Sequence, residues 1–108
     1  MKADDDDVFR ALADPSRRRL LDRLHATDGQ SLADLCAGLD MTRQAVAKHL
    51  AILERANLVV SKRHGREKRH HINPVPIGDI AARWISKFEQ PRLTALSALK
   101  QALEGEKP

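Results

Sequence analysis

The chain has 108 residues and a formal net charge of +4, with 19 basic side chains against 15 acidic ones. This length suits one domain, and with only three aromatic residues the core must be built from aliphatic side chains. No apolar run approaches the ~20 residues of a membrane-spanning helix, and no secretory signal is recognisable, so we expect a cytoplasmic protein. The single cysteine, Cys36, excludes an intrachain disulfide.

The N-terminus carries four consecutive acids, Asp4 to Asp7, and residues 1–7 are predicted to form an acidic tail. These charges either favour the start of a solvated helix through its dipole, or form an arm that competes with DNA for a basic surface. Val8, Phe9 and Leu12 have helical spacing and predict a short first helix.

A second helix is predicted from Asp14-Pro15 to about Ala26. Aspartate caps a helix well, and proline is favoured at the first helical position. The buried stripe of this helix is predicted to consist of Leu20, Leu21 and Leu24.

Two further helices are predicted on either side of a tight turn, Asp40 to Thr42. Ser31 and Asp34 form a capping-box pattern at the start of the third helix, and Thr42 is a suitable cap for the fourth. A short helix, a three- to four-residue turn and a second helix are typical of a helix-turn-helix motif.

The fourth helix has one apolar and one polar face. Val46, Leu50 and Leu53 recur at helical spacing and are predicted to face the core. The opposite face is kept slim by alanines and carries side chains of the types that pair with base edges in the major groove. The candidate base-reading residues are Arg43, Gln44, Ala47 and Lys48.

A basic two-stranded ribbon is predicted from Leu58 to Ile72, with its tip at His64-Gly65-Arg66. Between Thr42 and His71, eight basic residues against two acids give +6, so the other 78 residues sum to −2. This concentration favours contact with phosphates or the minor groove over a merely solvated ribbon. The candidate DNA-backbone residues are Thr42, His49, Lys62, Arg63, His64, Arg66, Lys68 and Arg69.

Residues 75–108 return to helical spacing, and Pro91 is expected to break or kink the segment. Its apolar stripes carry more surface than a small monomer covers easily, which indicates a homodimer interface rather than purely intramolecular packing. With the first helix included, the candidate interface residues are Val8, Phe9, Leu12, Ile77, Ile80, Trp84, Ile85, Phe88 and Leu96.

The predicted fold is therefore mainly α with a small β-hairpin: a dimeric winged helix-turn-helix in the order α-α-α-α-β-β-α, with residues 8–74 as the DNA-binding core. The stretches 11–24 and 31–74 resemble the ArsR/SmtB type of bacterial winged-helix repressor, and the resemblance covers about residues 8–88. It implies a symmetric dimer, joined by its first and last helices, that binds a palindromic operator and represses transcription.

Many members of that family release DNA when a metal binds. At the three places of one such site, a Cys-x-Cys-x-x-Cys pattern, this chain has Ser31, Ala33 and Cys36, so a three-thiolate site cannot form. A second family site, in the last helix, uses Asp and His pairs; Asp79 is present, but residues 80–103 contain no histidine. The chain thus resembles the branch without recognised metal ligands, and we expect no metal and no cofactor.

The cysteine and the histidines allow alternatives. Cys36 is either a small buried hydrophobe or a thiol sensor, which would need positive charge nearby. His49 is either structural or a DNA-backbone contact. Three wing histidines suggest a metal clip, but adjacent His70 and His71 point to opposite faces of a strand. Relatives often have an aromatic at the place of His70, which argues for a half-buried structural ring.

No catalytic motif is present, so we do not expect an enzyme. The leading hypothesis is a homodimeric, sequence-specific transcriptional repressor bound to double-stranded DNA. The alternatives are an ArsR-like switch that responds to an unknown small molecule or thiol reagent, and a winged-helix protein–protein module.

Overall fold

The computed structural model describes residues 4–105, except for the side chains of Gln90, Pro91 and Leu93. The chain divides into two units, the first ending at Ile77 and the second beginning at Gly78. In chain order the elements are α1 (Asp5–Leu12), α2 (Pro15–Ala26), β1 (Gln30–Ser31), α3 (Leu32–Cys36), α4 (Arg43–Arg55), β2 (Val59–His64), β3 (Glu67–Ile72), α5 (Val75–Ile80), a π-helical turn (Ala81–Ile85) and α6 (Ser86–Gly105).

The predicted winged helix-turn-helix is confirmed, but its sheet has three strands instead of two. The antiparallel order is β1-β3-β2. The additional strand, β1, pairs Gln30 with His70 and Ser31 with Arg69. Two residues are too short to show an alternating pattern, so only the pairing with β3 reveals this strand.

The acidic N-terminus belongs partly to the first helix, which includes Asp5 to Asp7 of the segment predicted as an acidic tail. Helix α1 begins at Asp5, because the Asp4 carboxylate caps it by accepting the backbone N–H of Asp7 at 2.9 Å. Three acids then occupy the first turn, where negative charge favours the helix dipole. Residues 1–3 of the predicted tail lie outside the described residues.

The core of the first unit is aliphatic, as predicted. The largest fully buried side chains include Leu20 and Leu24 of α2, Leu35 of α3 and Leu53 of α4. Val46, Leu50 and Leu53 are all buried, which confirms the predicted inner face of α4. This face fixes the rotation of α4 about its axis and so decides which of its side chains meet solvent.

The second unit contains a continuous helix at Pro91, where a break or a kink was predicted, so the helix is not broken there. Helix α6 runs from Ser86 to Gly105 and so passes through Pro91. An interior proline removes one backbone hydrogen bond, and the neighbouring turns are enough to continue the helix here. The irregularity lies upstream instead, in the wide turn Ala81–Ile85. Within residues 4–105, no helix is long and apolar enough to cross a membrane.

Candidate nucleic-acid interface

Helix α4 presents a complete polar face to solvent. Thr42 caps the helix by accepting the backbone N–H of Ala45 on its hydroxyl oxygen at 3.1 Å, which leaves its O–H proton free to donate. The four candidate base-reading residues are all exposed: Gln44 and Lys48 lie on the face opposite the core, and Arg43 and Ala47 flank that face. Because the side chain of Ala47 is small, the backbone of α4 can approach the floor of a DNA groove closely.

An arginine from α2 connects α1 with α4. The Arg17 guanidinium donates to the backbone oxygens of Ala11 at 2.8 Å and Arg10 at 2.9 Å, and its side chain is only 13% exposed. Its third nitrogen lies 3.4 Å from Nδ1 of His49. Because arginine can only donate, His49 Nδ1 accepts and the neutral ring carries its proton on Nε2. This contact supports the structural role, one of the two roles predicted for His49; the other was contact with the DNA backbone.

The start of α3 has the predicted capping box. The backbone N–H of Ser31 donates to the Asp34 carboxylate at 3.1 Å, and the N–H of Asp34 donates to the Ser31 hydroxyl at 3.1 Å. At the other end of α3, the Arg23 guanidinium donates to the backbone oxygens of Asp34, Leu35 and Ala37. These bonds hold the turn that sets the angle between α3 and α4.

The capping box gives a prediction in acid. Hydrogen bonds from the backbone N–H and the hydroxyl of Ser31 lower the pKa of Asp34 below its usual value. Stability from a lowered carboxylate pKa is fully present above the unfolded-state value of about 3.9 and is lost as pH falls through the folded-state pKa. We therefore expect Asp34→Ala to lose stability less steeply than wild type below about pH 4, as measured by urea unfolding at a series of pH values. Equal steepness in the two proteins would contradict this assignment.

The ribbon formed by β2 and β3 places like charges directly opposite each other. Lys62 pairs with Arg69, and Arg63 pairs with Lys68, in consecutive positions of the antiparallel register. Like charges in opposed cross-strand positions destabilise a sheet. Glu67 offsets part of this repulsion through its carboxylate, 3.2 Å from Nε of Arg69. A polyanion bound at the wing would offset the rest of the repulsion between these cations.

Alternation divides the basic residues between the two faces of the ribbon. The Arg63–Lys68 pair lies on the same face as Ser61 and His70, which are paired closer to the core. The Lys62–Arg69 pair lies on the opposite face. The predicted backbone-contact residues of the wing, Lys62, Arg63, His64, Arg66, Lys68 and Arg69, are all exposed, but they do not share one surface.

A cleft of about 500 Å³ separates α3 and α4 from the wing. Arg43 of α4 lies on one side, and Arg66 and Lys68 of the wing lie on the other. Ala47 and Ala51 form part of the α4 wall, so the cleft is open where the recognition face begins. Cationic side chains thus border the passage between helix and wing on both sides.

Two residues in this cleft were missing from the predicted site. His70 is buried, at 5% exposure, and its Nδ1 lies 3.0 Å from the backbone oxygen of Gln30. A carbonyl only accepts, so Nδ1 donates to it, and Nε2 faces Glu54, whose Oε1 lies 4.0 Å away. That oxygen is buried without a hydrogen-bond partner. The structural role predicted for His70 is confirmed. For Glu54, the sequence showed only a single acid in a basic stretch, which did not indicate a buried carboxylate.

The residues at the family's thiolate positions have other contacts. The hydroxyl of Ser31 is engaged in the capping box, and Cys36 is a free, partly exposed thiol in α3. Among residues 4–105, no group of three or more His, Cys, Asp and Glu side chains is arranged to hold a metal ion.

Most predicted dimer-interface residues are exposed in the single chain, but two are not. Val8 is 1% exposed and Ile80 is also buried, so in the single chain neither side chain offers surface to a partner. Leu12 is half-buried. The remaining apolar side chains are exposed, namely Phe9, Ile77, Trp84, Ile85, Phe88 and Leu96. Residues 106–108 of the predicted dimerisation segment lie outside the described part of the chain.

Comparison with known proteins agrees with this geometry. Residues 12–62 match a family model described as a helix-turn-helix domain. The chain is 38% identical over 91 residues to the uncharacterised HTH-type transcriptional regulator YuzN of Bacillus subtilis (strain 168), covering 79% of this chain and 99% of that protein. It is 28% identical over 81 residues to the transcriptional repressor SdpR of the same organism, covering 75% of this chain and 88% of that one.

Solved structures show the same likeness. An ArsR-like transcriptional regulator from Rhodococcus sp. RHA1 superposes with a TM-score of 0.72 at 34% identity, over 94% of this chain and 91% of that chain. A recognition helix beside a basic wing defines a DNA-binding transcriptional regulator and not an enzyme. The chain belongs to the ArsR family of winged helix-turn-helix transcriptional regulators.

Proposed function

We propose that the protein is a homodimeric, cytoplasmic repressor that binds a palindromic operator sequence-specifically and lacks the two metal-sensing sites of its relatives. One observation carries the DNA-binding part of the proposal. The exposed face of α4 and the basic side chains of the wing border the same cleft, with cations on both sides. That arrangement suits a helix in the major groove with a phosphate strand passing between helix and wing.

Base recognition is assigned to the exposed face of α4. Arg43 and Lys48 present donors that suit the O6 and N7 acceptors of guanine, and Gln44 suits the N6 and N7 edge of adenine. Ala47 lies between them and allows close approach. The polar face needs no rearrangement to reach a groove, because all four side chains are exposed already.

Phosphate contacts are assigned to the wing and to the cap of α4. Arg66 and Lys68 border the cleft and are placed for the strand beside α4. Lys62 and Arg69 lie on the other face of the ribbon, where they would meet the far wall of the adjacent minor groove. Thr42, with a free hydroxyl proton, is assigned to the phosphate nearest the start of α4.

Dimerisation is supported by the second unit. Trp84 and Phe88 stack edge to face with ring centroids 5.0 Å apart, and both rings are largely exposed in the single chain. Exposed aromatic pairs on a small domain are typical of interfaces. A two-fold dimer would place two α4 helices in successive major grooves, ~34 Å apart. The name of SdpR, a transcriptional repressor, supports repression as the outcome.

The roles of helix and wing are tested by two substitutions. We expect Lys48→Ala to reduce discrimination between operator and mutated operator by about 1–3 kcal/mol. Arg66→Ala should weaken binding to all DNA alike and reduce the salt slope by about 1. Fluorescence anisotropy with the DNA upstream of the protein's own gene, titrated with salt, measures both quantities. Lys100→Ala, an exposed change in α6, is the control.

Steep salt dependence with no preference among sequences would contradict sequence-specific repression while leaving non-specific DNA binding intact. Weak binding with little salt dependence would contradict the assignment of the wing to phosphates.

A further inference from the structure

Two wing histidines seven residues apart in sequence meet at their ring nitrogens. Nε2 of His64 lies 3.4 Å from Nε2 of His71, with ring centroids 5.6 Å apart. The strand register explains the meeting. His71 pairs with Val60 and His64 pairs with Glu67, so both histidines lie on one face of the ribbon and their side chains lean towards each other.

The His71 ring is oriented by a carboxylate. Its Nδ1 lies 2.9 Å from Oδ2 of Asp28, whose other oxygen accepts the backbone N–H of Ile72 at 2.8 Å. A carboxylate only accepts, so His71 donates its Nδ1–H to Asp28, and its Nε2 faces His64. The ring is also confined by Gly29, where a Cβ would lie 3.3 Å from the His71 Cε1 atom.

This arrangement matches the inner ligands of a metal site. Zinc–nitrogen bonds of about 2.0–2.1 Å at a tetrahedral angle place two ligand nitrogens roughly 3.3–3.4 Å apart, and the observed separation is 3.4 Å. A metal-bound histidine commonly donates its other N–H to a carboxylate, which fixes the tautomer. Asp28 already makes that contact with His71.

We propose that His64 and His71 bind a divalent late first-row transition-metal ion such as Zn²⁺ through their Nε2 atoms, with Asp28 orienting His71. In residues 4–105 no third protein ligand is in place, so the remaining coordination positions are open to water or an anion. The site therefore binds more weakly and more reversibly than a closed four-ligand structural site. It is separate from α3 and from the last helix, where the family's recognised metal ligands lie.

The proposal departs from the sequence-based expectation of no metal. For the wing, that expectation rested on adjacent His70 and His71 facing opposite ways, and they do: His70 is buried and bonded to Gln30, whereas His71 lies on the other face of the ribbon. The pair that meets is His64 with His71, and only the folded ribbon brings them together.

The test is calorimetric titration of the tag-free protein with ZnCl₂ in a non-coordinating buffer, without DNA, so that its result is independent of the proposed repressor function. Wild type should bind one ion per chain, and His64→Ala and His71→Ala should each abolish that binding step. His25→Ala removes an exposed histidine of α2 and should leave it unchanged.

Asp28→Asn is the sharper variant, because it keeps both proposed ligands. An asparagine retains an oxygen for Ile72 but turns an N–H towards His71 Nδ1, so the ring proton moves to Nε2 and blocks the ligand atom. The affinity for Zn²⁺ should fall about 10- to 100-fold. Zn²⁺ binding that is equal in wild type and in His64→Ala, or absent from correctly folded wild type, overturns the proposal; so does an unchanged affinity in Asp28→Asn.

Discussion

Replacing Phe88 by glutamate is expected to separate the proposed homodimer into monomers. Phe88 is 59% exposed in the single chain and packs edge to face on Trp84, so the folded monomer loses little when the ring is removed. In a dimer, the same change would bury an unpaired carboxylate in apolar surroundings, which is strongly unfavourable. Truncation of an aromatic hot spot alone costs about 2 kcal/mol or more, so the dissociation constant of the proposed dimer should rise at least ~30-fold.

Operator binding should weaken together with dimerisation. In the proposed dimer each half-site is bound by one α4, so the affinity of a monomer for a palindrome should approach its non-specific affinity, roughly 10³-fold weaker or more. Sedimentation equilibrium measures the first effect, and anisotropy on a palindromic operator measures the second. Ser97→Glu serves as the matched control, because it adds the same charge nine residues further along α6, on the face of the helix opposite Phe88. If the Phe88→Glu protein stays dimeric, the surface around Trp84 and Phe88 is not part of the dimer interface.

Leu53→Ala is expected to have the largest effect on folding. Leu53 is 0% exposed and belongs to the inner face of α4, together with Val46 and Leu50. Truncating a buried leucine costs about 2–5 kcal/mol, because it removes apolar burial and leaves a cavity. For a domain of this size, each kcal/mol lowers Tm by roughly 4–8 °C. Urea and thermal unfolding measure the loss.

The DNA-binding face should survive this substitution at low temperature. Gln44 and Lys48 lie on the side of α4 opposite Leu53, and Arg43 is exposed ten residues away, so operator affinity well below Tm should stay close to that of wild type. Arg55→Ala, an exposed change on the same helix, should alter stability by no more than about 0.5 kcal/mol. A Leu53→Ala protein as stable as wild type would mean that the inner face of α4 contributes little to the core.

Local signals predicted the parts of the fold that depend on near neighbours. The faces of α4 follow from helical spacing, and the capping box of α3 involves residues three apart. The wing tip at Gly65 was predictable because its φ of +66° suits glycine. These features are decided within a few residues, where sequence patterns are informative.

The features that were missed depend on contacts distant in sequence. Strand β1 exists only through its pairing with β3, about 40 positions away. Val8 has the spacing of an interface residue, but the packing of the first unit buries it. The sequence predicted the DNA-contact residues one at a time. Their division between the two faces of the wing depends on the register of β2 against β3, which the sequence did not reveal. The buried oxygen of Glu54 required the packed cleft.

The opposed cations of the wing have a further consequence for the free protein. Lys62 with Arg69, and Arg63 with Lys68, repel each other when no anion is present, and dissolved ions screen that repulsion. The same ions compete with the protein for phosphates and weaken its hold on DNA. A rise in ionic strength therefore reduces the repulsion between the opposed cations of the unbound wing and, at the same time, weakens the contacts of the wing with DNA.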